Sequence, residues 1–197
     1  MFPDLVYPLE PAPVLPRPSV DHPGNAAVSP EEMLPLIHPS GLVYGQATRS
    51  WCHSGAKPLH PVVHLHLIDR YGRIYLQKRS MTKDLLPGYW DTAVGGHVSY
   101  GESIPEALYR ECEEELGLKA FNPVYLETYE YRTQRDREYV FVHAAVGHPE
   151  LHPRQEEVSE GRWWTFDQLD EAMGKDILTP NFESEFSRIR EKLLSLL

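Results

Sequence analysis

The clearest hydrophobic pattern in the chain runs from residue 62 to residue 78. Two apolar runs, 62–69 and 73–78, are separated by a polar turn at 70–72. Runs of β-branched and aromatic residues on either side of such a turn are typical of a β-hairpin. A similar arrangement surrounds the turn at 39–41, so we predict two hairpins in the first part of the chain.

A helical pattern begins near residue 104. Ile104 and Leu108 are four residues apart, which places them on one helix face that can meet a core. Ser103 can cap this helix, and Glu106, three residues later, can complete a capping box. Gly117 suits a helix end, because glycine adopts the left-handed conformation found there. We therefore predict a helix that ends at Gly117.

The second half of the chain alternates strand patterns with two more helices. Runs at 123–133, 137–147 and 157–166 are rich in β-branched and aromatic residues, which predicts three strands. A short helix is predicted over 166–173 and an amphipathic helix over 182–197. The apolar side of the latter most simply packs on a sheet; a homodimer contact is the alternative. Strands mixed with a few helices indicate an α+β or layered α/β/α domain.

The first 30 residues differ in composition from the rest. They hold eight of the 18 prolines of the chain, and proline supplies no backbone donor to a helix or a sheet. We predict a proline-rich arm over residues 1–30 and one folded domain over 31–197. The arm can lie over its own domain or over a partner subunit, and the sequence does not distinguish these alternatives.

Charge and composition exclude several classes of function. The 197 residues carry a net charge of −10, which argues against a nucleic-acid binder with clustered Lys and Arg. No apolar run reaches the roughly 18 residues of a membrane span, and the proline-broken N-terminus lacks the basic start of a secretory signal. Cys52 and Cys112 are isolated, as is usual for reduced thiols. We expect a cytoplasmic protein that binds neither nucleic acid nor membranes.

Half of the excess negative charge is concentrated on the helix near residue 110. Six glutamates and one arginine lie between Glu102 and Leu118, which gives this segment a net charge of −5. Glu111, Glu114 and Glu115 share one helix face, where a bound cation would relieve their mutual repulsion. Mg²⁺ or Mn²⁺ suits such oxygen ligands; a solvated acidic face is the alternative.

The residues around these glutamates resemble the signature of the Nudix hydrolases. Counting from Gly96, five residues precede Glu102, seven more precede Arg110, and residues 110–118 (RECEEELGL) complete the pattern. Cys112 stands at an apolar position of the signature, where a buried thiol behaves as a small hydrophobe. The resemblance over 96–118 implies the Nudix fold, a mixed β-sheet between helices. It also implies hydrolysis of a nucleoside diphosphate linked to another group, or of a related small diphosphate.

The same resemblance implies roles for individual residues. The three glutamates of the shared face would hold the divalent ions, together with the backbone carbonyl of Gly96. Glu102 and Arg110 would pair and brace the loop against the helix. One carboxylate must accept a proton from the attacking water. The candidates are Glu114, Glu115 and the glutamates of the later loop, and the choice is left open.

The segments before the signature resemble the branch of the family that contains isopentenyl-diphosphate isomerase. By that resemblance, the positions of the five metal ligands of the isomerase are taken here by His53, His60, His97, Gln155 and Glu157. A second metal, Mn²⁺ or Zn²⁺, would suit the imidazoles; hydrogen-bonded structural histidines are the alternative. Gly95 stands where the isomerase has its catalytic cysteine, which favours hydrolysis over isomerisation.

Other histidines and basic residues lie close to this region. His64 and His66 alternate on one strand face, and we expect them to be partly exposed. Lys78, Arg79 and Lys83 precede the glycine loop and are candidates for contacts to substrate phosphates. Solvated charges at a strand end are the alternative for all three.

These observations favour a metal-dependent hydrolase of a small diphosphate. An isopentenyl-diphosphate isomerase is an alternative from a different catalytic class. A third reading is a non-catalytic module that binds a nucleotide or another metabolite. The complete set of glutamates in the signature favours the hydrolase.

Overall fold

The computed structural model describes residues 3–15, 31–82, 85–154 and 158–197. Within these ranges the strands are β1 (Met33–Ile37), β2 (Val43–Thr48), β3 (His60–Ile68), β4 (Arg73–Arg79), β5 (Trp90–Asp91), β6 (Val94–His97), β7 (Val124–Arg132), β8 (Arg137–Val146) and β9 (Val158–Thr165). The helices are α1 (Arg49–Trp51), α2 (Ile104–Leu116), α3 (Phe166–Ala172) and α4 (Pro180–Leu194). The predicted α+β class is confirmed.

Both predicted hairpins are present. β1 pairs antiparallel with β2, and β3 pairs antiparallel with β4. The turn between β3 and β4 is organised by the buried carboxylate of Asp69, which accepts the backbone N–H groups of Tyr71 and Arg73 at 2.9 Å each. The Arg73 side chain also donates to this carboxylate, at 2.7 Å. Because its acceptors are satisfied, this acidic residue can be buried at the hairpin end.

The larger sheet has seven strands. Its order is β5-β4-β3-β8-β7, with β6 paired to β3 and β9 paired to β4. β9 runs antiparallel to β4, from Arg73 opposite Thr165 to Arg79 opposite Val158. β5 also pairs with β4, with Lys78 opposite Trp90. The C-terminal end of β4, which carries the predicted phosphate contacts, therefore lies between β5 and β9.

Helix α2 begins and ends where the sequence predicts. The backbone N–H of Ser103 donates to the Glu106 carboxylate at 2.8 Å, and the Glu106 N–H donates to Ser103 Oγ at 3.4 Å, which completes the capping box. Gly117 has a φ of +64° and its N–H donates to the Glu113 carbonyl at 3.0 Å. Burial raises the pKa of the Cys112 thiol, and Glu115 and Glu111 raise it further. Cys112 is fully buried and is a core residue.

The described part of the proline-rich arm, residues 3–15, lies along β2 and the turn before it. The Val6 N–H donates to the Gly41 carbonyl at 2.9 Å, and the Leu15 N–H donates to the Gln46 carbonyl at 2.7 Å. Ala12, between these two contacts, is 4% exposed. These residues lie over their own domain; residues 16–30 of the arm are outside the described ranges.

The chain divides into two compact units. The first comprises Met1–Val62, His97–Ala107 and Tyr129–Val140, and the second comprises Val63–Gly96, Leu108–Thr128 and Phe141–Leu197. The first unit has a core built around Leu34, Leu36, Ala47 and Cys52. In the second unit, helix α4 buries Phe182, Phe186, Ile189 and Leu193, as its pattern predicts. No helix among the described residues is long and apolar enough to cross a bilayer.

Candidate active site

The acidic face of α2 carries the predicted ion ligands. The Glu115 residue is 8% exposed, and the side chains of Glu111 and Glu114 are 12% and 47% exposed. Arg110 Nη1 donates to Glu111 Oε1 at 2.7 Å and to Glu114 Oε2 at 3.2 Å. Gln77 Nε2, from β4, donates to Glu115 Oε2 at 2.9 Å. Glu115 therefore faces the sheet, Glu114 is half-exposed, and neighbouring donors hold all three carboxylates.

Gly96 lies directly against one of these carboxylates. A Cβ atom added at Gly96 would stand 2.0 Å from Glu111 Cδ and 2.3 Å from Glu111 Oε2, so no other residue fits there without displacing Glu111. The Glu111 carboxylate thus lies beside the Gly96 backbone, and backbone and carboxylate oxygens are the ligands that Mg²⁺ and Mn²⁺ prefer. The residues present therefore fit a hard divalent cation.

Arg110 contacts the glutamates next to it on α2. Its guanidinium offsets the repulsion between the Glu111 and Glu114 carboxylates. The carboxylate of Glu102, which precedes the helix, accepts the Ser99 N–H at 3.0 Å. The pairing of Glu102 with Arg110 stays a prediction.

Three histidines and one glutamate form a separate cluster in the first unit. His53, His60, His97 and Glu138 each offer one ligand atom, and these atoms all lie within 4.8 Å of one another. The Nε2 atoms of His53 and His97 are 2.9 Å apart. The three histidines therefore lie together, and this histidine cluster includes a glutamate that the sequence reasoning did not identify; metal binding by it stays a prediction.

The protonation of His60 favours metal binding. Its Nδ1 donates to the Pro58 carbonyl at 3.0 Å, whereas its Nε2 is buried without a hydrogen-bond partner. Burial lowers the pKa of His60 to about 4, so the ring is neutral near pH 7. Asp136 Oδ1 lies 3.3 Å from His53 Nδ1 and can orient that ring as well. Imidazole and carboxylate ligands in this arrangement fit Zn²⁺ or Mn²⁺.

His53 reaches the cluster through an irregular segment. Thr48 caps α1, and the chain continues from Cys52 to Ala56 as a wider π-helical turn. Gly55 interrupts this turn with a φ of +92°, and Lys57 follows in the left-handed conformation. No hydrophobic period predicts such a turn, and the sequence reasoning assigned no element here.

The carboxylate of the cluster comes from β8, and Asp136, beside His53, comes from the turn before it. Glu138 is the second residue of β8 and Asp136 precedes it by two positions. The resemblance assigns the two glutamate ligand positions of the isomerase to Gln155 and Glu157. These two residues have the same two-residue separation as Asp136 and Glu138, but they lie outside the described residues. The signal in the sequence that could have identified Glu138 is the acidic pair Asp136 and Glu138, which are two residues apart at the start of a strand.

The expectation that His64 and His66 are partly exposed is wrong. His64 is 8% exposed and His66 is fully buried. His64 Nδ1 donates to Glu185 Oε2 at 2.9 Å, and His66 Nε2 donates to Glu185 Oε1 at 2.5 Å. Burial alone would raise the pKa of Glu185, but the two histidines hold it well below its usual value. The partner carboxylate comes from α4, so alternation along β3 gave no sign of it.

The predicted phosphate contacts have local partners. The Lys78 ammonium lies 5.8 Å from the centroid of the Trp90 ring. Arg79 Nε donates to the Leu85 carbonyl at 3.0 Å, and its Nη1 lies 3.4 Å from Asp91. Lys83 is outside the described residues. Arg79 thus holds the loop after β4, and phosphate binding by these three residues stays a prediction.

Comparison with known proteins identifies the family to which this chain is similar. The model of the NUDIX domain matches residues 58–182. An isopentenyl-diphosphate Delta-isomerase of Leifsonia xyli is 33% identical over 142 residues, which are 68% of this chain and 77% of the relative. An uncharacterized Nudix hydrolase of Salmonella typhi, YfcD, is 28% identical over 70% of this chain and 74% of its own length.

Solved structures agree on the fold. The crystal structure of DR0079 from Deinococcus radiodurans is similar with a TM-score of 0.70 and 25% identity, over 80% of this chain and 98% of the other. A MutT protein from Methanosarcina mazei has a TM-score of 0.59 at 23% identity, over 70% and 96% of the two chains. The signature on α2, the matched domain model and these folds lead to one conclusion: this chain belongs to the Nudix family.

Proposed function

We propose that this protein is a divalent-metal-dependent hydrolase. Its substrate would be a diphosphate linkage in a nucleoside diphosphate joined to another group, or in a related small metabolite. The observation that carries the proposal is the acidic face of α2, where Glu111 lies against the backbone of Gly96 and shares the Arg110 guanidinium with Glu114. Carboxylates at this density are favourable when they hold cations, and a diphosphate requires cations for attack by water.

Each residue of the site has a part in the reaction. Glu111, Glu114 and Glu115, with the Gly96 carbonyl, would hold Mg²⁺ or Mn²⁺. When bound, the metal neutralises phosphate oxygens and lowers the barrier to attack at phosphorus. Gln77 fixes the Glu115 carboxylate by its 2.9 Å hydrogen bond. Arg110, through its bonds to Glu111 and Glu114, orients the other two carboxylates.

The attacking water must lose a proton to the protein. Glu114 is more exposed than Glu115 and is bonded only weakly, at 3.2 Å, through Arg110. Glu115 is buried and bonded to Gln77. Either carboxylate, or a glutamate of the loop at 152–161, can act as the acceptor.

The test is hydrolysis of a panel of diphosphates, with the nucleotide and phosphomonoester products separated by chromatography. Nucleotide sugars, dinucleoside polyphosphates, NADH, FAD, oxidised nucleotides and isoprenoid diphosphates are assayed with Mg²⁺ and with Mn²⁺. On the best substrate, E114Q and E115Q should each lower kcat by about 100-fold or more, since each removes a charged ligand or the proton acceptor. Metal-free enzyme should be inactive.

Glu113 provides a matched control on the same helix. Its side chain is 56% exposed and lies 2.9 Å from Lys119 rather than with the other glutamates. E113Q removes the same charge, and we expect near wild-type turnover. Equal losses in E113Q and E114Q, or no hydrolysis of any compound of the panel, would overturn the proposal.

A second candidate function is isopentenyl-diphosphate isomerisation. The histidine cluster with Glu138 and the name of the Leifsonia xyli relative favour it. Gly95 opposes it, because it offers no thiol, and an added Cβ would stand only 3.3 Å from His64 Cδ2. Interconversion of the two isopentenyl-type isomers without phosphate release would establish this activity in place of hydrolysis.

A further inference from the structure

Two residues of the N-terminal arm contact the loop that opens the Nudix signature helix. Residues 101–104 form this loop, which we call the box loop; it contains the signature residue Glu102 and the first residue of α2. The arm contacts come from Asp4 and Tyr7, nearly 100 residues earlier in the chain. All of these residues belong to the first compact unit.

The phenol hydroxyl of Tyr7 binds the box loop both as a hydrogen-bond donor and as an acceptor. The hydroxyl donates to the Glu102 carbonyl at 3.0 Å and accepts the Gly101 N–H at 3.0 Å. Burial raises the pKa of Tyr7 to about 12, so the phenol keeps its proton and remains a donor near pH 7. The ring also packs edge-on against Tyr100, with centroids 5.5 Å apart. A phenylalanine could keep the ring contact but would lose both hydrogen bonds.

Asp4 supplies an additional cap to α2. Its Oδ1 accepts the N–H of Ile104, the first residue of the helix, at 2.9 Å. The first N–H groups of a helix have no partner within the helix, and a carboxylate there is favourable. The Ser103–Glu106 capping box satisfies other groups of the same turn. The start of α2 therefore depends on a residue from outside the signature.

The arm is itself fixed at positions away from the box loop. Val6 exchanges backbone hydrogen bonds with the turn before β2 and with Val43, each at 2.9 Å. Further along, the Ala12 N–H donates to Tyr100 Oη at 2.7 Å, and Gln46 Nε2 donates to the Ala12 carbonyl at 2.8 Å. Asp4 and Tyr7 are thus presented to the loop from an anchored strip of chain.

We propose that Asp4 and Tyr7 are positioning residues of the Nudix site, which fix the box loop and the start of α2 for the metal-dependent reaction. The inference rests on the proposed function for its catalytic part. α2 is a continuous helix from Ile104, and Glu111 lies two turns along it. Displacement of the helix start therefore moves the ion ligands, and small displacements of a catalytic group cost much of the rate.

The experiment compares two tyrosine variants on the full-length protein. Y7F removes both loop hydrogen bonds, whereas Y109F removes one phenol bond, to the Phe121 carbonyl, further along the same helix. We expect Y7F to lower kcat about tenfold, to raise the Mg²⁺ concentration for half-maximal rate and to leave KM for the substrate nearly unchanged. Y109F should resemble wild type in all three.

Asp4 offers a test by rescue. D4A removes the acceptor for the Ile104 N–H, whereas D4N retains a side-chain oxygen at the same position. We expect D4A to lower kcat several-fold, and D4N to restore most of it. Activity in D4N as low as in D4A would contradict the capping role.

Two readouts need no substrate and separate this inference from the proposed function. Amide hydrogen exchange should become faster at Gly101 and Ile104 in Y7F and D4A, and stay slow at these amides in Y109F. Mn²⁺ binding measured by calorimetry should weaken in the same two variants. Unchanged exchange and unchanged Mn²⁺ affinity would overturn the inference, even if the enzyme hydrolyses diphosphates. Changed exchange and affinity in a protein without hydrolase activity would keep the positioning role and reject the reaction.

Discussion

Two groups of histidines, each with one glutamate, differ in what their nitrogen atoms contact. In the histidine cluster, His60 uses Nδ1 on a backbone carbonyl and leaves a buried Nε2 without a hydrogen-bond partner. On the same strand, His64 and His66 both donate to the buried carboxylate of Glu185. His60 belongs to a group of four possible ligand atoms within 4.8 Å of one another, which can take a metal. His66 Nδ1 is also buried without a hydrogen-bond partner, but among the described residues it belongs to no such group. The residue types are the same, so the surrounding ligand atoms decide the role.

The largest effect should follow from breaking the pair around Glu185. Its carboxylate is fully buried, and E185Q removes the charge while His64 and His66 stay in place. We expect a loss of about 3–5 kcal/mol in the free energy of unfolding, as for other broken buried ion pairs. Urea unfolding of the metal-free protein measures it. E191Q, an exposed site on the same helix, is the control, and a loss below about 1 kcal/mol would contradict the buried pair.

Metal content provides the second way to separate the two groups. Purified wild type should hold close to one equivalent of Zn²⁺ or Mn²⁺ in the histidine cluster, and H53A with H60A should remove it. The control is the double variant H38A with H152A, which changes two exposed histidines. Metal analysis of the three proteins checks the prediction. Wild-type protein that is metal-free and fully active would show that the cluster is held by hydrogen bonds alone.

We expect a smaller effect on the free energy of unfolding from His143. Its hydrogen-bond partner is a neutral backbone carbonyl rather than a carboxylate. His143 is 1% exposed, its Nδ1 donates to the Phe141 carbonyl at 3.1 Å, and burial lowers its pKa from 6.5 to about 4. Between these two pH values the unfolded chain binds a proton that the folded protein does not. Stability should therefore fall as the pH falls from 6.5 towards 4, by up to about 1.4 kcal/mol per pH unit from this group.

Substitution of His143 isolates its contribution. H143F should reduce the slope of unfolding free energy against pH in this window, because the unfolded chain then takes up one proton fewer. The comparison is urea unfolding at several pH values, with H152F at an exposed site as control. An unchanged slope in H143F would show that His143 does not stay neutral in the folded protein.

The parts of the fold that are local in sequence could be predicted from it. The turn at 70–72, the capping box of α2 and the glycine after it each depend on residues within a few positions, and all are present. The shared face of the α2 glutamates follows from helical spacing, which is also local. The Nudix resemblance added the fold, which the structural comparisons confirm.

What the sequence did not predict depends on partners far apart in the chain. Glu185 is 121 residues from His64, and its pairing reverses the expected exposure of both strand histidines. Glu138 joins the histidine cluster only because β8 begins close to the segment that carries His53. Tyr7 reaches Glu102 across 95 residues. Periodicity and spacing report on one element at a time, so contacts between distant elements appear only in the folded chain.

The position of Glu185 has a practical consequence for anyone shortening this protein. The NUDIX match ends at residue 182, three residues before it, and begins at 58, after His53 and the arm. A fragment cut at those limits would lack Glu185 and most of α4, and the interior imidazoles of His64 and His66 would lose their carboxylate partner. Such a fragment should aggregate on expression, because the unit that folds is longer than the unit that sequence similarity delimits.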